Sequence, residues 1–466
     1  MRKPELIIPL LMAKTCALVS LFLILLVLSP YQSWSQGYYD AEYDMKSYEA
    51  FMEKDWQKII QLAKEAEKKG IDFYYLRLRK GIAYDNQEKY NSSEREYKKA
   101  NAFFPVDTLT YWYRYVSLMN AGRESEARVL SSHLTPWQKF YSGFKGSRLN
   151  WIGLEGGGLF GKAPEASLTD PTQVYLKQKQ QGNLFFASGS ANMWIGSRMN
   201  FTLGYQFMNV GNTIIFSRHL GTPGSGNNQV SNQSWKLKTN QQSIYAGLNY
   251  QFGKGWSVFA SGNIIFYSGN TVQIDKILGS TLSFRIKELN ISGMDLSLVG
   301  LVRKRWSNFS WESSYSFNRV SDSLYHQSNT ILTLFPISNN RFYISGQAST
   351  ISQSGTNFFG GFKLGARFSK WLWLEGNCLF GRMYGTSDAS GWILNNNPDQ
   401  INWKAGIHFS FILKNKFEIP LRFGLLGREG LTFKEIRTNS TEVPIEKGFP
   451  YTYTHFLINT GLKIYF

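Results

Sequence analysis

The sequence predicts a multidomain α + β protein, in which a short N-terminal domain of α-helical repeats precedes an antiparallel β-barrel of about 14 strands, within a range of roughly 12 to 16. Three observations lead to this fold class. Apolar residues recur at helical spacing as far as about residue 134, and they alternate with polar residues from residue 149 onward. The charge also changes there, because residues 36–136 carry 16 basic and 16 acidic side chains, whereas residues 137–466 carry 32 and 16.

The first 35 residues have the pattern of a secretory signal peptide. Basic residues precede an apolar run over 16–28, and Ser33 and Ser35 supply the small residues of a cleavage site before Gln36. A retained membrane anchor is the other interpretation, but the apolar run is short for a span. Cleavage leaves Cys378 as the single cysteine, so no internal disulfide is expected.

Helical spacing characterises the domain predicted for residues 36–136. Its apolar pattern returns after 34 residues, because Trp56 corresponds to Tyr90 and Ala66 to Ala100. This period resembles that of tetratricopeptide repeats, whose packing positions match Trp56, Ala66, Gly81, Tyr84, Tyr90, Tyr97, Ala100 and Pro105. The resemblance implies about three repeats that bind a periplasmic protein. A generic pair of helical hairpins is the other interpretation.

Strand periodicity begins at residue 149, after a linker predicted over 137–148. Phe201, Leu203 and Tyr205, for example, alternate with small or polar residues, as in strands that face two different solvents. A soluble sandwich or propeller is the competing interpretation. The predicted strands are 149–160, 183–196, 200–216, 238–252, 256–273, 284–303, 307–321, 325–335, 341–352, 357–369, 371–385, 401–413, 416–428 and 452–466.

The connections between these strands are predicted to alternate in length. Tight links such as Gly253–Gly255 follow even strands, and long links such as 161–182 and 386–400 follow odd ones. Every tight turn is predicted after an even strand, which is the pattern of a barrel threaded from the periplasm. Both ends of the barrel and the helical domain then lie on the periplasmic side.

The last predicted strand ends on an aromatic residue. Asn459, Gly461, Ile464 and Phe466 form a polar-x-Gly-x-x-apolar-x-aromatic pattern, which resembles the closing strand of Gram-negative outer-membrane barrels. The resemblance implies recognition by the barrel-assembly machinery and a location in the outer membrane. Outer-membrane lipid and lipopolysaccharide are then the expected surroundings of the barrel.

Strand parity places several charged side chains on the inner wall. A basic lumen raises the local concentration of anions, so these side chains predict a possible anion selectivity. Two other interpretations of these bases are equally well supported. The bases could pair with acids inside a plugged barrel, or they could bind lipopolysaccharide phosphates at the rim. Inner glycines at 204, 361 and 365 leave room and favour an open or transiently open lumen. The inward bases are Lys363, Arg367, Lys404, Arg422 and Lys463, and the acids near them are Glu375 and Glu418.

Catalytic and cofactor signatures are weak in this sequence. His408 and His455 point inward by parity, but no Ser/His/acid constellation is recognisable, so no catalytic residue is predicted. A barrel-wall hydrolase that uses one of these histidines is a minor option. The run 395–399 could touch Ca²⁺ but is more typical of a turn, so no metal or cofactor is predicted. Balanced charge in the helical domain argues against nucleic acid.

The order of the domains resembles that of exopolysaccharide-export porins and of YaiO-type barrels. The resemblance covers the whole mature chain and implies a porin-like channel or exporter for anionic solutes or polymer. Export porins carry far longer repeat arrays, and this departure puts polymer export in doubt. A structural or assembly component, whose repeats recruit an envelope or secretion partner while the barrel serves as an anchor, is the alternative.

Overall fold

A computed structural model of the chain describes residues 41–142, 144, 146–168, 173–220, 229–277, 283–397, 399–414, 416–436 and 445–466. The predicted signal peptide lies outside these residues. Within them, a domain of seven α-helices precedes a closed barrel of 14 antiparallel strands. None of the described helices is long and apolar enough to cross a membrane.

The helical domain consists of α1 (Ala41–Met52), α2 (Trp56–Lys68), α3 (Tyr74–Asn86), α4 (Tyr90–Phe103), α5 (Thr108–Asn120), α6 (Glu124–Leu130) and α7 (Pro136–Tyr141). Helices α1 to α6 each pack against the next one. Local signals set their ends: Asp55 accepts a hydrogen bond from the Lys58 N–H at the start of α2, and Gly70 follows its end with a φ of 77°. Helix α7 lies partly in the predicted linker, because Thr135 and Gln138 form a capping box there.

The predicted packing positions of the helical repeat are mostly interior. Gly81 lies under the Tyr97 ring, where an added Cβ would come within 2.4 Å of a ring carbon, so only glycine fits. The buried positions are Ala66, Gly81, Tyr84, Tyr97 and Ala100. Trp56 and Tyr90 are half-buried, and Pro105 is exposed after α4.

Charged residues form part of the interior of the helical domain. The Arg77 side chain is 5% exposed, and its guanidinium donates to Glu96 at 2.7 Å and to Asp72 at 2.5 Å. Lys80, also buried, donates to Glu67. Since a buried charge that loses its partner is costly, this cluster makes the domain sensitive to single substitutions.

The wall of the barrel consists of β1 (Leu149–Phe160), β2 (Gln173–Ile195), β3 (Met199–His219), β4 (Val230–Gly253), β5 (Trp256–Ile277), β6 (Ser283–Arg305), β7 (Phe309–Val320), β8 (Ser323–Leu334), β9 (Phe342–Ser352), β10 (Thr356–Arg367), β11 (Leu372–Met383), β12 (Gln400–Leu413), β13 (Phe417–Ile436) and β14 (Ile445–Tyr465). The predicted strand number is therefore confirmed. Each strand pairs with its neighbours in sequence, and β14 pairs with β1.

The residues of the predicted assembly pattern lie at the contact between β14 and β1. Asn459 pairs with Gly157, Gly461 with Glu155, and Ile464 with Ile152. A Cβ on Gly461 would come within 2.3 Å of the Leu154 carbonyl oxygen, so the two strands approach closely there. The Phe466 N–H donates to the Asn150 carbonyl at 3.0 Å. The terminal strand therefore completes the closed wall.

The outer face of the wall is apolar. On β10 and the turn after it, Phe358, Phe362 and Phe368 are 72%, 55% and 67% exposed. Lys363, between two of these positions, instead lines an internal cavity. An apolar exterior around a polar interior is the reverse of a soluble fold and is typical of barrels that cross a membrane.

Several strands are longer than predicted, and their extensions cross the mouth of the barrel. β2 begins at Gln173 rather than 183, and β13 continues to Ile436 rather than 428. Thr432 of β13 pairs with Phe449 of β14 on one edge and with Gln178 of β2 on the other edge. β2 therefore pairs with the part of this second edge that lies beyond the end of β12. We call residues 173–178 of β2 and 432–436 of β13 the roof. The sequence missed it because polar pairing between distant strands leaves no local pattern.

The predicted alternation of connection lengths is wrong between β7 and β10. Two residues join β7 to β8 and three join β9 to β10, although both links follow odd strands, whereas seven residues join β8 to β9. The turn after β7 consists of Ser321 and Asp322, with φ values of 48° and 66°. Such turns usually contain Gly or Asn-Gly, so this turn carried no sequence signal. The other tight links predicted after even strands are present, for example Lys254–Gly255 between β4 and β5.

The helical domain docks on the barrel end that carries the even-strand turns. The Asn91 N–H donates to the Ser338 carbonyl at 2.8 Å, and the Asn339 amide donates to the Glu88 carbonyl at 2.9 Å. Glu88 also forms an ion pair with Arg341. The helices therefore lie beside this end of the lumen.

Candidate functional site: the barrel lumen

The connection between β11 and β12 folds into the lumen. We call residues 384–399 the inner segment, of which Pro398 lies outside the described residues. Amide side chains on the barrel wall donate to backbone carbonyls of this segment. These hydrogen bonds run from Asn263 to the Trp392 carbonyl at 2.8 Å, from Gln327 to the Ser387 carbonyl at 2.9 Å, and from Asn318 to the Gly385 carbonyl at 3.0 Å.

Trp392 fills the space that inner glycines were predicted to leave open. A Cβ on Gly204 would lie 1.9 Å from the Trp392 ring, so the indole rests directly on the backbone of β3. Its other neighbour is the Tyr245 ring, at a centroid distance of 4.7 Å. Gly365 similarly lies under the Tyr343 ring, and Gly361 lies against the backbone of the neighbouring strand. These glycines therefore leave no free space in this structure, and a transiently open lumen stays a prediction.

A cavity of about 850 Å³ lies between the inner segment and the turns that face the helical domain. We call it the turn-side chamber. Lys363 and Lys404 line it, as parity predicts for inward residues. The Lys363 ammonium forms an ion pair with Glu375 at 3.0 Å, whereas Lys404 has no ion pair among the described residues.

The other three predicted bases have partners of their own. Arg422 forms an ion pair with Glu155 of β1 at 2.5 Å. The Lys463 ammonium lies 4.2 Å from the centroid of the Trp151 ring, a cation–π contact. Arg367 donates to backbone carbonyls of the turn after β10. Among the five predicted bases, only Lys363 and Arg422 therefore form an ion pair within the described residues, and Lys404 shares the turn-side chamber with the inner-segment acid Asp388.

A smaller cavity of about 260 Å³ lies on the other side of the inner segment, below the roof. We call it the loop-side cavity. Lys179, Gln181 and Arg428 line it, together with inner-segment residues 393–397. These side chains were not predicted from the sequence, because Lys179 and Gln181 fell in a predicted loop. Arg428 has the same parity as Arg422, and this signal could have identified it as inward.

The side chains near the predicted histidines do not form a catalytic triad. His408 Nε2 lies 3.0 Å from Ser410 Oγ, but Ser410 donates its proton to Glu418 at 2.8 Å. A triad requires the carboxylate to bind the histidine, which then accepts the serine proton. Here the Glu418 carboxylate, rather than the histidine, accepts the hydrogen bond from the serine hydroxyl. His455 is fully buried against the Tyr453 ring, away from these groups.

The closed, even-numbered antiparallel wall and its apolar exterior define the class of protein: a β-barrel of the membrane-crossing type with a segment folded into its lumen. No protein-family model matches the chain, and no curated protein sequence matches it.

Solved barrels share its general fold at low similarity. A Pseudomonas aeruginosa FadL homologue is 9% identical over 69% of this chain and 91% of its own, with a TM-score of 0.42. The translocator domain of the autotransporter NalP from Neisseria meningitidis is 10% identical over 76% and 99%, with a TM-score of 0.32. The Ralstonia pickettii toluene transporter TbuX is 9% identical over 70% and 91%, with a TM-score of 0.34. These likenesses are too distant to support a function.

Proposed function

We propose that this protein is an outer-membrane β-barrel that acts as a gated channel for small anionic solutes. The observation that carries the proposal is the inner segment, which occupies the lumen through hydrogen bonds to polar wall residues and through apolar contacts of Tyr384 and Leu394. No ion pair links residues 384–397 or 399 to the wall. Water can replace each of these hydrogen bonds at a net cost of about 0.5–1.5 kcal/mol. The segment can therefore leave the wall without breaking a charge pair.

The charges in the turn-side chamber support a preference for anions. Four bases line it, Arg303, Arg305, Lys363 and Lys404, against two acids, Glu312 and Asp388. An excess of basic side chains around a cavity with low-dielectric walls attracts anions. The excess of 16 positive charges in residues 137–466 acts in the same direction.

The position of the helical domain supports a periplasmic orientation for the turn end. Short turns face the periplasm in barrels of this class, and the helices dock on these turns. We propose that the helices form a tetratricopeptide-like array that binds a periplasmic protein beside the lumen. Their regular pairwise packing and the close contact of Gly81 with Tyr97 support this.

Single-channel recording on the full-length protein in planar bilayers tests the proposal. We expect brief, voltage-dependent openings with anion preference in the wild type. In a variant whose residues 386–397 are replaced by a short glycine linker, we expect persistent openings. A wild type that never opens while this variant conducts would overturn the gated channel, since the inner segment would then be a permanent plug. A cation preference would overturn the anionic solute.

A second candidate function is an anchor for an envelope or secretion complex. The observation that favours it is that the inner segment and the roof both obstruct the lumen. Deletion of residues 37–134 in cells separates the two functions. The anchor function predicts that this deletion has the same effect on the cell as removal of the whole protein. The anchor function fails if the barrel alone is sufficient.

A further inference from the structure

We propose that the loop-side cavity binds a small hydroxylated oxyanion, with Arg428 as its main ligand. The inference deepens the proposed function, because it assigns a binding site to the anionic solute. Arg428 is 5% exposed, and its Nε and Nη1 have no hydrogen-bond partner among the protein atoms. Two buried guanidinium nitrogens without hydrogen-bond partners are costly, whereas a carboxylate or phosphate oxygen can accept a charge-assisted hydrogen bond from them.

The charge balance of the cavity favours an anion. Lys179 lines it beside Arg428, and neither base forms an ion pair among the described residues. The single acid in the described lining, Asp295, already accepts hydrogen bonds from the Ser321 N–H at 2.9 Å and from the Asn396 amide at 2.9 Å. Asp399, on an adjacent surface, accepts a hydrogen bond from Tyr453 and interacts electrostatically with Arg428 and Lys179. The lining of the cavity itself therefore has two bases for one acid that is already bonded.

The neutral lining indicates the rest of the ligand. Gln181 is 1% exposed, and neither its amide oxygen nor its amide nitrogen has a protein partner. An amide with a free donor and a free acceptor suits the hydroxyl groups of a polyol. Tyr384 and Tyr267 add aromatic surface to the same cavity. An oxyanion next to hydroxyl groups matches both the unpaired base and the unpaired amide.

The size of the cavity limits the ligand to a small molecule. Its volume of about 260 Å³ corresponds to roughly nine waters, since a water takes ~30 Å³ in the liquid. A six-carbon sugar acid or sugar phosphate is of this size, whereas an extended polymer is not. The ligand would lie between the inner segment and the roof, in contact with Asn395–Asn397 of the segment. Its binding therefore reaches the element proposed to open the lumen.

Isothermal titration calorimetry on the full-length protein in detergent tests the site. The probes are sodium glucuronate, glucose 6-phosphate and glucose, which separate a carboxylate, a phosphate and a neutral polyol. We expect at least one oxyanion to bind, and glucose to bind at least about tenfold more weakly. Arg428→Gln should weaken oxyanion binding by at least about tenfold.

Arg319→Gln is the matched control, because Arg319 is paired with Asp322 at the surface and lies outside the cavity lining. It should leave the affinity unchanged. Lys179→Gln should weaken binding several-fold and keeps the test decisive where Arg428→Gln does not fold. Absence of binding by both oxyanions up to about 10 mM, or equal binding by wild type and both cavity variants, overturns the site.

The binding experiment and the channel recording fail separately. A protein that binds glucuronate or glucose 6-phosphate yet never opens overturns the channel and leaves the site. A protein that opens but binds neither probe overturns the site and leaves the channel.

Discussion

The inner segment fills part of the lumen and the helical domain lies beside its turn end, and different interactions hold these two elements in place. The inner segment is held by wall amides such as Asn263 and Gln327 and by the indole of Trp392 on Gly204. The helical domain rests on the turn between β8 and β9, where the buried Ser338 accepts hydrogen bonds from the Asn91 and Ser92 N–H groups. An ion pair also joins Glu88 and Arg341, whose side chains are 47% and 42% exposed. Since the inner segment lies within the lumen and the helical domain lies outside it, we expect the inner segment to determine whether solutes pass through the proposed channel.

Loss of the helical fold should therefore leave the lumen closed. Arg77→Ala removes the centre of the buried charge cluster and leaves Glu96 buried without its arginine, which should destabilise the helical domain by about 3–5 kcal/mol. The helical circular dichroism signal should melt at lower temperature while the strand signal persists. Lys58→Ala on α2, whose ion pair with Glu53 lies at the surface, is the control and should change little. If Arg77→Ala also opens the channel, the helical domain and the inner segment are not independent.

Displacement of Trp392 should open the lumen without unfolding the helices. Gly204→Val places a side chain where the Trp392 ring lies, at an overpacking cost of about 1–3 kcal/mol to the closed state. The open fraction in single-channel recordings should rise by about tenfold or more. Gly300→Val is the matched control, because a Cβ there meets no atom within 4 Å. Equal behaviour of the two variants would contradict the role of Trp392.

The stability of the helical domain should depend on pH through Asp85. Burial raises the pKa of this carboxyl above its ordinary 3.8 in the folded domain, although Ser117 and Tyr97 donate hydrogen bonds to it. The folded state therefore binds the proton more tightly than the unfolded chain. Asp85 thus contributes stability that is complete below pH 3.8 and is lost as pH rises through the raised pKa.

Comparison of thermal unfolding in the wild type and Asp85→Asn isolates this effect. The stability of the wild type relative to the variant should increase as the pH falls. Replacement of the carboxyl group by an amide at position 85 changes its hydrogen bonds and should by itself destabilise the variant by about 1 kcal/mol. Opening of the channel should not follow this pH dependence. A constant difference between the two proteins at all pH values would contradict the raised pKa.

The smallest effect is expected at the contact between the domains. Glu88→Gln and Arg341→Gln should each weaken docking by less than about 1 kcal/mol, because exposed ion pairs contribute little. A double-mutant cycle on the thermal unfolding of the helical domain measures the coupling. Channel openings should be unchanged. An increase in channel opening as large as that of Gly204→Val would show that the helical domain, rather than the inner segment, controls opening.

The wall of the barrel was predictable, because its physics is local. Alternation along each strand, such as Phe201, Leu203 and Tyr205, follows from an apolar exterior and a polar lumen and gives the number of strands. The partners of charged residues were not predictable, because they come from distant strands. Arg422 of β13 binds Glu155 of β1. Parity states which way a base points and leaves its partner unspecified.

The inner segment and the roof were missed for a related reason. Ser387 and Trp392 lie in a run that has the composition of a surface loop, and only contacts with β3 to β8 hold them in the lumen. The position of Arg428 on its strand could have identified it as inward. Its unsatisfied nitrogens could not have been predicted, because they depend on the positions of Lys179 and the roof. The predicted site thus had the correct wall and incomplete contents.

The two sides of the barrel differ in height. β4 has 24 residues and β7 has 12, which at about 3.3 Å per residue gives lengths of roughly 80 and 40 Å. In the proposed orientation, the tall side extends far above the lipid surface, whereas the short side ends close to it. An antibody or a phage that approaches the cell therefore meets the tall side first. Residues on that face are the ones expected to vary under immune or phage selection.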